Sequence, residues 1–344
     1  MADILLQPYI EAIAEFPLTG TPAEQLRAAL KYAVLAPSSH NTQPWLFRVS
    51  GNEVALYADR SRGLPVVDPD DRELVISCGA ALFQLRIALR HFSCAETVDL
   101  VTDPADPDLL ARVRLSGSHE PTDEEHALFA AIPRRGTTRL PFGDRTLSAD
   151  LVTALAAAAA QEGASLRFLK SPRLRNRAAD LVAQGDRLQM IDPHFRRELA
   201  AWLRPNRSRR DDGMPGFALG FGDIMSAVGP LVVRTFDLGE GRAARNRELA
   251  LCSPALAVLG TAGDGPADWL AAGQALARVL LRAEVEGVTA SFLNQPIEVP
   301  ELRAPLQALT DARGYPQMLL RLGYLSATAS RATPRRPVED VVID

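Results

Sequence analysis

The sequence predicts an α+β protein in which two related halves, residues 1–120 and 121–344, share one chain. Three observations predict it. Each half opens on a helix announced by a capping box, Thr21-Pro22-Ala23-Glu24 in the first and Thr122-Asp123-Glu124-Glu125 in the second. In both halves long helical periods alternate with short β-prone runs. With 344 residues, 47% of them hydrophobic and 23% charged, the chain can fill two packed units around a common interface.

The elements follow in order. Pro22 suits the first helical position, Leu26, Leu30, Ala33 and Val34 recur at helical spacing, and Pro37 ends that helix near Ala36. Runs 45–49 and 53–57 are strands around the Gly51-Asn52 turn. A long helix over 70–90 turns Leu74, Cys78, Leu82, Leu85 and Leu89 inward, and 97–101 and 111–115 are strands. In the second half the capped helix ends near Ile132-Pro133. Helices are expected over 148–162, 173–189, 267–286 (closed by Gly287) and 300–313. Strands are expected at 166–169, within 250–261 and at 318–324. The stretch 190–245, rich in Arg, Gly and Pro, is predicted to be irregular, and a connection of that length is usually a lid or a binding loop. The tail from Arg331 shows no apolar period.

Composition excludes several functions. A net charge of −4 argues against a dedicated nucleic-acid binder. No run reaches the ~18 apolar residues of a membrane span. MADILLQPYI lacks the basic region and apolar core of a secretion signal, so a cytoplasmic protein is expected. Only Lys31 and Lys170 are lysines among 38 basic residues, a bias that points to a GC-rich bacterial genome. Cys78, Cys94 and Cys252 are far apart and form neither a disulfide framework nor a zinc motif. The five histidines are scattered, with no HExxH, so no metal site is expected. No GxGxxG, P-loop or GxSxG motif occurs.

Three polar segments remain. APSSHNTQPW places Ser38, Ser39, Asn41 and Gln43 on an irregular backbone after Pro37. It suits a heteroaromatic ring with alternating donors and acceptors, a sugar chain, or simply a helix-ending loop whose side chains cap their own backbone. RRGTTR, with Arg135, Gly136, Thr137 and Arg139, combines guanidinium forks, a tight turn and hydroxyls in the way a phosphate requires, and would equally serve as a solvated basic loop. Arg335-Arg336-Pro337 would close a phosphate pocket from the other side if the tail returns there. Arg204–Arg210 is a basic run that is either a solvated loop or a steering patch for an anionic ligand.

APSSHNTQPW resembles the Ser-Ser-x-Asn-x-Gln-Pro-Trp signature of the nitroreductase family of flavoproteins. Together with DWLAAGQALARVLLRAEVEG, SFLNQPIEVPELR and GYPQMLLRLGY, the chain is similar to the Acg branch, whose members are single-chain, internally doubled nitroreductase-like proteins. The likeness runs from about residue 22 to the tail and is loosest over 190–245. It implies a nitroreductase-like fold with the family's dimer folded into one chain as a pseudo-dimer, and FMN between the halves.

By residue, the resemblance assigns Arg135, Thr137 and Arg139 to the family's phosphate-binding Arg-x-Ser-x-Arg positions, with Gly136 between them. Arg336, with Arg335 beside it, matches the C-terminal basic motif. Pro37, Ser38, Ser39, Asn41 and Gln43 match the loop from the opposite half. Phe292, Leu293, Asn294 and Gln295 match the segment along the isoalloxazine, where a backbone N–H usually faces flavin N5. His40 replaces a common glycine, and Asn294-Gln295 a frequent Glu-Gly pair. The first half lacks the arginine motif and the second lacks the serine loop, which implies one complete FMN site per chain. The implied activity is electron transfer from NAD(P)H to a nitroaromatic or quinone, with the flavin carrying the chemistry and no catalytic side chain. The alternative is a protein that sequesters FMN beneath a lid formed by 190–245. A monomer with an internal pseudo-dimer and a homodimer are both compatible.

Overall fold

The computed structural model describes residues 16–101, 103, 105–310, 314–325 and 332–344. MADILLQPYI, which bears on secretion, lies outside them, as does the end of the helix expected over 300–313. Helix α1 (Pro22–Ala33) starts at its capping box: the Thr21 hydroxyl accepts from the Glu24 amide at 3.3 Å, and the Glu24 carboxylate accepts from the Thr21 amide at 2.7 Å. Strands β1 (Trp45–Ser50) and β2 (Glu53–Ala58) form a two-residue hairpin with Gly51 at φ 58°. Helix α2 (Arg72–His91) and strands β3 (Cys94–Leu100) and β4 (Leu109–Ser118) follow.

Next come α3 (Asp123–Ala131), α4 (Ala149–Gln161), β5 (Ser165–Phe168) and α5 (Pro172–Ile191). The stretch expected to be irregular is mostly helical. It holds α6 (Pro193–Trp202), the short parallel pair β6 (Leu203–Arg204) and β7 (Met214–Pro215), α7 (Asp223–Thr235) and the start of α8 (Gly239–Cys252). Then follow β8 (Ala255–Thr261), α9 (Pro266–Val285), β9 (Thr289–Phe292), α10 (Gln295–Glu298), α11 (Pro300–Gln307), β10 (Tyr315–Gly323) and β11 (Val342–Ile343).

Two sheets result. The second is a fully antiparallel β5-β8-β10-β9 sheet. The first runs β11-β1-β2-β4-β3, so the tail crosses back and adds a parallel edge strand, with Phe47 opposite Val342. The tail had no apolar period because two residues of edge strand are too few to show one.

Between the sheets α2 and α9 cross at glycines. A Cβ on Gly79 would lie 2.2 Å from the Leu270 carbonyl oxygen, and one on Gly273 would lie 2.0 Å from that of Ile76. Only hydrogen fits on either side. Seventeen of the twenty α2 residues are buried, so this helix, the one among the described residues long and apolar enough to cross a membrane, is the core of the molecule. Beside the crossing, Glu162 accepts from Arg86 Nη1 at 2.7 Å and from Arg278 Nε at 2.9 Å, joining α2 to α9 through the end of α4. Removing its charge leaves two largely buried guanidinium groups under-compensated. Glu162→Gln should therefore lower stability by about 2 kcal/mol. Urea unfolding checks this, with the midpoint falling at unchanged slope.

Candidate functional site

A cavity of about 830 Å³ is lined by residues from Leu35 to Arg335. Three remote segments are brought to it by the fold. The first is the loop after α1, where Ser38 is extended and His40, Asn41 and Gln43 have φ of 50°, 56° and 54°. Positive φ strains side chains of this kind, so the loop is held in place by its surroundings. Ser38 Oγ accepts from the Gln43 amide at 2.9 Å, and Ser39 Oγ donates to Glu73 at 2.5 Å. The second segment is RRGTTR. Thr137 bridges to Ala290 at the edge of β9, while Arg321 donates to the carbonyls of Thr138 and Leu140. The third, 291–295, follows β9, with the Leu293 amide donating to the Leu319 carbonyl at 2.9 Å.

Glu73 joins these parts. Besides Ser39 from the first half, it accepts from Asn294 Nδ2 at 3.1 Å and pairs with Arg72 at 3.0 Å. It was not predicted; the signal was an Arg-Glu pair opening an otherwise apolar helix.

Every predicted site residue lines the cavity except Gln43 and Arg336. Gln43 is fully buried and acts as a joint: its Nε2 donates to the Asp211 carbonyl at 2.7 Å and its Oε1 accepts from the Arg336 amide at 2.8 Å. Arg336 turns away to the carbonyls of Gln43 and Asp340 and lines a second, smaller recess. Asn41 reaches the cavity but engages its amide with the Gly213 and Pro334 carbonyls and with Arg335. These amides and Arg336 hold the tail and the 190–245 stretch in position, a role their spacing in the sequence does not reveal. In the run 204–210, Arg204 pairs with Asp212 and Arg207 with Asp223, and neither lines the cavity.

Positive charge collects in two places. Arg135 Nη2 and Arg335 Nη2 both donate to the Leu35 carbonyl, at 3.1 and 3.4 Å, just beyond the end of α1. Arg135 Nε is buried without a partner. The second place holds Arg139, whose guanidinium meets, among the described residues, the Ala218 carbonyl and the Met214 sulfur, with Arg242 and Arg245 nearby. Burial pulls both Arg135 and Arg139 down to about 10. Glu284 offsets part of this for Arg135, whereas the charges that act on Arg139 are both cationic, and a guanidinium so enclosed favours an entering anion.

His40, between these clusters, has its Nδ1 buried and unpartnered. Its ring keeps some surface on the cavity but is otherwise enclosed by protein. Burial first, then Arg139 and Arg242, push it down to about 3. It stays neutral in the folded chain while the unfolded chain protonates near 6.5. Its share of stability is therefore complete above pH 6.5 and is lost as pH falls toward 3. Between pH 7.5 and 5 the ligand-free chain should lose on the order of 1 kcal/mol that His40→Asn does not lose. Thermal melts at the two pH values check this.

Phe195, Leu199, Met214, Leu219, Phe221 and Val233 also line the cavity, and Arg139 reaches Met214 among them. The stretch 190–245 thus contributes an apolar part of the lining, mostly from helices and not from a loose loop.

No family model matches the chain. Among proteins similar to it, one of Mycobacterium tuberculosis (strain H37Rv), provisionally named an NAD(P)H nitroreductase, is 34% identical over 324 residues, which is 93% of this chain and 91% of the relative. Acg of the same organism, also provisionally named an NAD(P)H nitroreductase, is 28% identical, covering 94% of this chain and 97% of Acg. Among solved structures, the FMN-dependent nitroreductase NfnB from Mycobacterium smegmatis in complex with NADPH aligns with a TM-score of 0.42 at 16% identity, over 63% of this chain and 97% of NfnB.

Proposed function

The chain belongs to the nitroreductase family, in the branch that includes Acg, and from this premise we propose that it is an FMN-dependent oxidoreductase carrying electrons from NAD(P)H to a nitroaromatic or quinone-like acceptor at one site between its halves. The observation that carries the reading is the pair Arg135 and Arg335 meeting at the Leu35 carbonyl, with Arg135 Nε left open. The residues present fit FMN. A buried cationic clamp suits a phosphate, and the unpartnered Gln295 Oε1 and His40 Nδ1 suit the polar edge of a ring system.

Bound FMN supplies hydride acceptance and release. The chain does the rest. Arg135 and Arg335 hold the phosphate, with Thr137 as a hydroxyl donor. Arg139 sets a positive potential that favours electron-rich states of a ring beside it. The tie from Ser39 through Glu73 to Asn294 fixes the two walls relative to each other, and the 190–245 cover excludes water. We assign the first half to residues 1–120 and the second to 121–344, with the family's two-subunit interface met inside the chain at the α2–α9 crossing.

The apolar wall from the 190–245 cover favours a second reading, sequestration of FMN with little turnover. An absorbance scan of purified protein should show one flavin per chain. NADPH oxidation with menadione or a nitroaromatic then decides. Turnover supports the reductase, and a flavin that NADPH reduces only after residues 200–222 are removed supports sequestration. Protein that binds no FMN overturns both.

A further inference from the structure

Resting on the oxidoreductase reading, we infer that the electron acceptor is an anionic aromatic compound, such as a nitrobenzoate-like carboxylate, seated against Arg242 and Arg245 of α8. The Arg135–Arg335 clamp accounts for a phosphate. It leaves Arg139, Arg242, Arg245 and Arg321 gathered on the cavity wall. Among the described residues none of Arg139, Arg245 and Arg321 is paired with a carboxylate, and the charges that act on Arg139 are Arg242 and Arg245. Such a cluster repels itself until an anion enters.

Its members differ in role. Arg321 is fixed by the carbonyls of Thr138 and Leu140. Arg242 is held by Asp186 at 3.2 Å, a buried carboxylate that also accepts from Asn246 at 2.8 Å and Gln295 at 3.2 Å. Arg245 is exposed at the mouth, one helical turn from Arg242, so an entering anion meets it first. The nearby acids do not neutralise it: Glu240 pairs outward with Arg187 at 2.8 Å, and Asp237 accepts from the Gly239 amide. Glu298, deeper in, is pushed up to about 8 by burial and by Glu73, so it carries little charge at neutral pH. Phe195, Leu199, Phe221 and Val233 line the same cavity, a surface for a flat apolar body, and Arg245 lies beside that surface, its Nη2 3.9 Å from where a Cβ on Gly220 would sit. Cations beside an apolar surface select a ligand with one charged end and one aromatic end.

The test uses the flavin-loaded full chain and two probes that differ only in charge, 4-nitrobenzoate and its methyl ester. Calorimetry reads binding, and NADPH-coupled reduction reads kcat/KM. The acid is expected to bind at least tenfold tighter than the ester. That ratio should fall at least fivefold in Arg245→Gln, recover in part in Arg245→Lys, and shrink between 20 and 500 mM salt. Equal binding of acid and ester, or a ratio that Arg245→Gln leaves unchanged, overturns the inference. So does Arg245→Gln protein purified without flavin, because the cluster would then hold the FMN phosphate. If calorimetry shows the charge preference but neither probe is reduced, the reductase reading fails while the anion site stands.

Discussion

Arg135→Met should strip the protein of flavin without weakening its fold. The guanidinium gives its hydrogen bond to Leu35 and has an unpartnered Nε, enclosed where burial already depresses its basicity. In the ligand-free chain this charge is a liability, and a thioether of similar length fills the space without it. With FMN bound, the same charge meets the phosphate, a charge-assisted contact of about 3 kcal/mol that corresponds to a Kd on the order of 100-fold weaker in the variant. The expected pattern has two parts. The variant elutes from gel filtration with little flavin absorbance, and its flavin-free melting temperature equals or exceeds that of the wild type. Added FMN raises the wild-type melting temperature by mass action and leaves the variant's almost unmoved. A variant that retains flavin through the column would show that the phosphate is held elsewhere.

Gly273→Ala should be the most damaging single-methyl change in the chain. The new Cβ would sit 2.0 Å from the Ile76 carbonyl oxygen and 2.8 Å from the Gly79 Cα, and all its nearest neighbours are backbone. No side chain can swing away, so α2 and α9 must separate along their length. Overpacking ordinarily costs about 1–3 kcal/mol; two rigid helices that cannot yield place this case at about 4 kcal/mol or more. Gly222→Ala is the control, since a Cβ there meets nothing within 4 Å and its φ is −69°. Its melting temperature should stay close to wild type. A similar small shift for Gly273→Ala would mean that the crossing is not tight. Ile76 and Leu276, on the two crossing helices, line the cavity, so flavin retention should fall together with stability.

Legibility differed by segment for physical reasons. The capped helices and the two long apolar helices were read to within a few residues, because capping boxes and 3.6-residue periods are local signals. Residues 190–245 were read as irregular because their helices carry Arg, Gly and Pro; Pro230 even lies inside α7. Ile224 and Leu231 on that helix face solvent at 83% and 67% exposure while Ser226 and Gly229 are buried, so its apolar spacing does not mark the inward face. The parts of the cavity lining that come from the loop after α1, from RRGTTR and from 292–295 were legible through a motif resemblance. Glu73, Arg242 and Arg245 were not, because what unites them is spatial convergence of helices far apart in the chain. Gln43 and Arg336 were legible as important, and both bond to backbone beside the cavity, a role that spacing cannot tell from gripping a ligand.

The returning tail has a consequence for biosynthesis. Arg335 reaches Leu35 and Asn41, and the Phe47 amide donates to the Val341 carbonyl at 2.8 Å. The first half therefore leaves the ribosome some two hundred residues before the segment that finishes its sheet. A nascent chain in that interval presents β1 with an unpaired edge, and the pouch beside it lacks one wall. Prosthetic-group capture should thus be a late event, and translation paused before residue 335 should yield chains that remain colourless even in a flavin-rich cell.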